Sequence, residues 1–90
     1  MKKIRLKVID TVGIHVEPAY VISGIANKYE SNMHIKYKDY MADMKSTLSV
    51  ISLLIPRNEI IETIVNGKDE EAAINDVIDS LKKLEIATTI

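Results

Sequence analysis

The 90-residue sequence predicts an α+β fold, an antiparallel four-stranded sheet covered on one face by three helices. Three observations predict it. Apolar and basic residues alternate strictly over 3–8, alternation returns over 33–44, and two longer segments carry apolar stripes at the helical period. The resulting order is β-α-β-β-α-β-α, with no repeat, linker or low-complexity stretch, so the whole of 1–90 reads as a single domain.

Ile4, Leu6 and Val8 between Lys3, Arg5 and Lys7 describe a half-buried strand ending near Ile9. Asp10 to His15 contains Gly13 and lacks periodicity, so it is a loop. Pro18 suits the first turn of a helix, where its missing N–H costs nothing, and places the helix start near Val16. The inner stripe of that helix is Val21, Ile22, Ile25, Ala26 and Tyr29, and Ser31-Asn32 ends it. Met33, Ile35 and Tyr37, then Tyr40, Ala42 and Met44, alternate on either side of Lys38-Asp39 and form a hairpin. Ser46 is a candidate N-cap for a short helix through Leu48 and Ile51, with Leu54 or Ile55 as further apolar positions before Pro56 stops it. Ile60 to Val65 is β-branched and apolar, and Asn66-Gly67 turns the chain out of that strand. Asp69 caps the last helix. Glu70 and Glu71 complement the dipole at its start and Lys82 and Lys83 at its end, while Ala73, Ile74, Val77, Ile78, Leu81 and Leu84 form the buried stripe.

Composition narrows the function. Twelve Lys plus Arg against thirteen Asp plus Glu leave a net charge of -1, so there is no global field for nucleic acid, and the lack of Phe and Trp beside four Tyr weakens any stacking platform for it. No apolar run reaches membrane-spanning length, and the absence of Cys removes disulfides, thiolate metal sites and thiol nucleophiles. The expectation is a cytoplasmic, monomeric protein without membrane insertion. His15, Glu17 and His34 have no spacing that suits a metal, and His34 falls on the wet side of its strand.

The segment Gly13-Ile14-His15-Val16-Glu17-Pro18-Ala19 puts an imidazole immediately before a helix whose first N–H groups are free. Such a terminus attracts anions, and an imidazole that titrates near neutrality can attack phosphorus and later leave it. Local chemistry leaves two readings open, a transient phosphoryl acceptor and a plain helix cap.

Gly13-Ile14-His15 with Pro18-Ala19 resembles the active-site motif of the HPr family, the histidine-containing phosphocarriers of the sugar phosphotransferase system. Lys45-Ser46 followed by Val50 and Ser52-Leu53 resembles the second signature of that family, and Asn66-Gly67 to Glu70 resembles the opening of its last helix. The likeness spans essentially the whole chain. It implies an open-faced β-sandwich, and a His15 that takes a phosphoryl group at Nδ1 from phosphoenolpyruvate through Enzyme I and passes it to the IIA domain of a sugar permease. The protein would then be a carrier rather than an enzyme and would need no cofactor or metal, since the imidazole and the helix amides meet the phosphoryl charge themselves. Val16, Glu17 and Pro18 would form the phosphate environment. Ser46 would be the serine modified by HPr kinase/phosphorylase, and Tyr20, Leu48 and Ile51 would belong to the docking surface, although core packing suits Leu48 or Ile51 equally.

The chain departs from the family at Glu17, where the family has an arginine, and at Val12, where a small hydroxyl residue is common. Glu17 either faces the phosphate or points into solvent. Two phosphoryl charges about 5 Å from a carboxylate, at an effective dielectric of about 40–80, would be repelled by roughly 1.7–3.3 kcal/mol. The departure keeps an alternative in view: an HPr-like regulatory protein acting through Ser46 phosphorylation on a transcriptional regulator, with weak or lost transfer at His15. A small-molecule-binding regulatory domain of ferredoxin-like type would suit the first six elements, but the terminal helix argues against it.

Overall fold

The computed structural model describes residues 1–90. Strand β1 (Lys2–Val8) buries Leu6 and Val8 and turns Lys3, Arg5 and Lys7 to solvent, as its alternation requires. It pairs antiparallel with β4 (Ile60–Asn66), Leu6 lying opposite Ile61. β4 pairs in turn with β2 (Asn32–Tyr37), and β2 forms the predicted hairpin with β3 (Tyr40–Asp43), whose inward residue is Ala42 while Tyr40 is exposed. Met44 follows β3 into the core, its N–H donating to Met33 O.

The sheet has five strands rather than the four predicted, in the order β3-β2-β4-β1-β5. The addition is β5 (Ala87–Thr89), which lies antiparallel to β1 with Val8 opposite Ala87. It exists because of how the preceding helix ends. Helix α3 (Glu70–Lys83) closes with Leu84 at its C-cap and Glu85 in the left-handed region at φ 58. The Ile86 N–H donates to Leu81 O and the Glu85 N–H to Lys82 O, the paired bonds of a Schellman stop. The reversal exposes Leu84, which therefore leaves the predicted stripe, and buries Ile86 and Ala87. Ala73, Ile74, Val77 and Leu81 are buried as expected, with Ile78 half-buried against the same core.

Helix α1 (Val16–Ala26) stops five residues before Ser31 because Asn27 terminates it: the Asn27 side-chain amide donates to Ser23 O (2.8 Å) and Lys45 O (3.0 Å). Tyr29 thus lies beyond the helix, half-buried against the core rather than on the helical stripe. Val21 is also only half-buried, and Ala19, Ile22 and Ala26 are the fully enclosed residues of α1. Helix α2 (Thr47–Ser52) is capped by Ser46, whose Oγ accepts from the Ser49 N–H at 3.2 Å. Its buried residue is Val50, not Leu48.

One core of 21 buried residues fills the space between the sheet and the three helices. Asp69 stands at the N-cap of α3, but its side chain does not cap that helix. It accepts from the N–H groups of Glu30 (2.9 Å) and Ser31 (3.0 Å) and from the Ser31 hydroxyl, tying the start of β2 to the start of α3. Reach-back at this terminus comes from Glu70, whose carboxylate accepts from the Gly67 N–H at 3.1 Å.

Candidate phosphoryl-acceptor site

Residues 9–15 leave the end of β1 as an irregular loop, yet their backbone groups are largely paired. Ile9 and Asp10 donate to Ile86 O, Gly13 donates to Asp10 O, and Ile14 donates to Ile55 O at 2.8 Å. Gly13 is required here. It has φ 88, and a Cβ on it would stand 2.4 Å from Ile55 O and 2.9 Å from Pro56 Cα. The loop therefore rests directly on the segment that follows α2, and this close seating fixes the angle at which His15 meets α1.

His15 is the N-cap residue of α1, with extended backbone (φ -93, ψ -165), and its carbonyl accepts from Ala19 N–H. Its side chain makes no capping bond, which removes the plain helix-cap reading. Pro18 at N3 has no N–H, so the unpaired amides of the first turn are those of Val16 and Glu17. The imidazole is part-exposed, 38%, and one protein group engages it: Nε2 lies 3.3 Å from Asp10 Oδ1. No hydrogen bond within the protein engages Nδ1.

Two hollows flank the ring. One, of about 200 Å³, is lined by Asp10, Glu17, Pro18, Val21, Leu84 and Ile86 beside His15. The other, of about 360 Å³, is apolar, lined by Val12, Ile14, Val16, Ile51, Leu54 and Ile55 among others. Glu17 is exposed, shares the first hollow with His15, and pairs with no Lys or Arg.

The other residues singled out in the sequence distribute unevenly. Ile51 lines the apolar hollow, half-buried, while Leu48 is 79% exposed on α2 and Tyr20 is 72% exposed on α1. Ser46 is held in its cap geometry, and its neighbour Lys45 donates through Nζ to Tyr29 O at 2.7 Å. His34 sits in β2 on the outer side of the sheet, apart from His15, and no cluster of three metal-ligating side chains forms.

Two residues at this site were not evident in the sequence. Leu54, read there as a further helical position, is 80% exposed with φ 52, an uncommon backbone for a branched apolar side chain, and it lines the hollow beside His15. Asp10 lies five residues before His15 in a loop without periodicity, and its contact with the ring is visible only in three dimensions.

An imidazole at a helix mouth, open at one nitrogen and bordered by an exposed apolar surface, suits a small protein that accepts an anionic group and presents it to partners. The comparisons give that class its family. The family model described as PTS HPr component phosphorylation site matches residues 2–83. The phosphocarrier protein HPr of Mycoplasma pneumoniae is 38% identical over 87 residues, covering 96% of this chain and 99% of its own. A solved mycoplasma histidine-containing phosphocarrier protein superposes with a TM-score of 0.91 at 26% identity, covering 94% of this chain and 97% of the other. HPr from Thermoanaerobacter tengcongensis shares the fold with a TM-score of 0.88 at 24% identity, over 92% and 93% of the two chains. The chain belongs to the HPr family, the phosphocarriers of the phosphotransferase system.

Proposed function

We propose that this chain carries a phosphoryl group on Nδ1 of His15, receiving it from phosphorylated Enzyme I and delivering it to a IIA domain of a sugar permease. In the loading step the Nδ1 lone pair forms the new N–P bond while the bond between phosphorus and Enzyme I breaks, its electron pair staying with the donor. In the unloading step the N–P bond breaks and its pair returns to Nδ1. The amides of Val16 and Glu17, at the positive end of α1, meet the phosphoryl oxygens, and Pro18 holds the first turn in register. Val12, Val16, Ile51 and Leu54, with Tyr20 and Leu48 further out, provide the apolar ground for docking. The protein is then a carrier, working as a cytoplasmic monomer, and catalysis belongs to its partners.

The observation that carries this reading is the state of His15: an N-cap residue whose side chain caps nothing and whose Nδ1 is free at a helix N-terminus. It favours transfer at His15 over a purely regulatory role. Ser46 remains a candidate for control by HPr kinase/phosphorylase. Its Oγ already occupies the N-cap of α2, where added negative charge suits the dipole and changes the surface next to Leu48. The test is a reconstituted relay of phosphoenolpyruvate, Enzyme I, this chain and a IIA domain. Phosphorylated IIA should form only when the chain is present and should vanish with His15→Ala. Equal IIA labelling with His15→Ala would overturn the proposal.

A further inference from the structure

We infer that Asp10 is the positioning residue for the phosphoryl acceptor, holding the proton of His15 on Nε2 so that Nδ1 stands ready as a free base. The inference rests on the carrier reading above and names the group that prepares its nucleophile. Asp10 Oδ1 accepts from the Val12 N–H at 3.0 Å, which fixes the carboxylate in the loop, and the same oxygen stands 3.3 Å from His15 Nε2. The loop is pinned independently through Asp10 N–H to Ile86 O and Gly13 N–H to Asp10 O, so the carboxylate does not drift with a free segment.

Chemistry then assigns the atoms. A neutral imidazole carries one N–H, and the nitrogen that faces a hydrogen-bond acceptor keeps it. With the proton on Nε2, Nδ1 has the lone pair that attack on phosphorus requires. As the N–P bond forms, the ring takes on positive charge with Nε2–H retained, and the Asp10 carboxylate lies against that charge. At 3.3 Å the two atoms are in charge contact without a formed hydrogen bond, as catalytic contacts often are in unliganded sites, and on this inference they close to hydrogen-bond distance as the ring becomes cationic. Glu17 lines the same hollow but makes no ion pair with the ring, so the two carboxylates differ: Asp10 orients the imidazole, and Glu17 borders the incoming phosphate.

The test labels histidine with nitrogen-15 and reads the two ring-nitrogen shifts of neutral His15 in the full chain, without phosphate. Wild type should show a protonated Nε2 and a lone-pair Nδ1. Asp10→Ala should mix the two tautomers and slow phosphoryl acceptance by about tenfold, chiefly through the lost charge contact with the ring. Asp10→Asn, whose amide oxygen can still accept from Val12 N–H and Nε2–H, should keep the tautomer but, without the charge, not the full rate. A wild-type proton on Nδ1 would overturn the inference even if the variants fail to fold. So would slower acceptance in Asp10→Ala with the tautomer unchanged, which is the mark of a merely structural role, or an Asn variant that mixes the tautomers as Ala does. If wild-type protein takes no phosphoryl group from Enzyme I, the carrier reading fails, and the tautomer separately reports whether Asp10 holds the ring.

Discussion

Lys28, Tyr29, Glu30 and Ser31, just past the C-terminal end of α1, all find carboxylates of the α3 segment. At the N-terminal end, His15 has one partner at 3.3 Å, two amides are unpaired, and Val12, Val16 and Leu54 stand in solvent. Asp76 accepts from Tyr29 OH at 2.6 Å, Lys28 Nζ at 2.7 Å and Ser80 Oγ at 2.6 Å, and Asp69 accepts from Glu30 and Ser31. Polar groups are spent on stability at one end of the helix and left available at the other. An anion site needs unpaired donors and an exposed nucleophile, so a helix can host one where the rest of its surroundings hold it without their help.

If that division is right, substitutions at the two ends should separate stability from phosphoryl transfer. The largest stability effect is expected for Asp76→Ala, which leaves Tyr29 OH, Lys28 Nζ and Ser80 Oγ without their shared acceptor. A loss of about 2 kcal/mol, seen as a fall of about 8–15 °C in Tm by calorimetry, should leave the phosphorylation rate of His15 unchanged. Slowed transfer at temperatures well below the new Tm would break the comparison. Glu17→Arg should act in the opposite sense. Exchanging a carboxylate beside the phosphate for a bidentate donor should raise the initial rate of phosphorylation by about tenfold, with Tm within a few degrees of wild type. An unchanged rate would place Glu17 out of reach of the phosphate.

A smaller effect is set by pH. Burial pushes the Asp76 carboxyl up, but hydrogen bonds from Lys28, Ser80 and Tyr29 and the Lys28 charge outweigh it and bring it down from 3.8 to about 2. A carboxyl depressed in the folded state stabilises fully above its unfolded value. Most of that contribution, about 1.5–2 kcal/mol, is lost as pH falls from near 4 toward 2. Urea titrations across that range should therefore be flatter for Asp76→Asn than for wild type, and identical slopes would contradict the assignment.

What could be read from the sequence and what could not divide along physical lines. β1, the hairpin and α3 were legible because their apolar residues repeat at a period that one element's geometry imposes. His15 was legible as a candidate because Gly13, Pro18 and the helix start lie next to it in sequence. β5 was not: it is three residues long and depends on pairing with β1, and the stop that leads into it uses Glu85 where glycine is the usual signal. The periodicity carries α1 too far because Tyr29 continues the helical period by chance, while Asn27, bonding to Lys45 O across the fold, decides the stop. The pattern places Asp69 at the N-cap, where it stands, but it cannot tell a side chain that caps its own helix from one that accepts from Glu30 and Ser31 of another segment. The pairing of Asp10 with His15 is of the same kind, since an irregular loop has no period from which a contact can be inferred.

The most direct measurement is the intact mass of the protein after incubation with phosphoenolpyruvate and Enzyme I, with His15→Ala in parallel. The account predicts the gain of one acid-labile phosphoryl group in wild type and none in the variant. No gain in wild type while another HPr in the same tube is labelled, or an equal gain in His15→Ala, would contradict it.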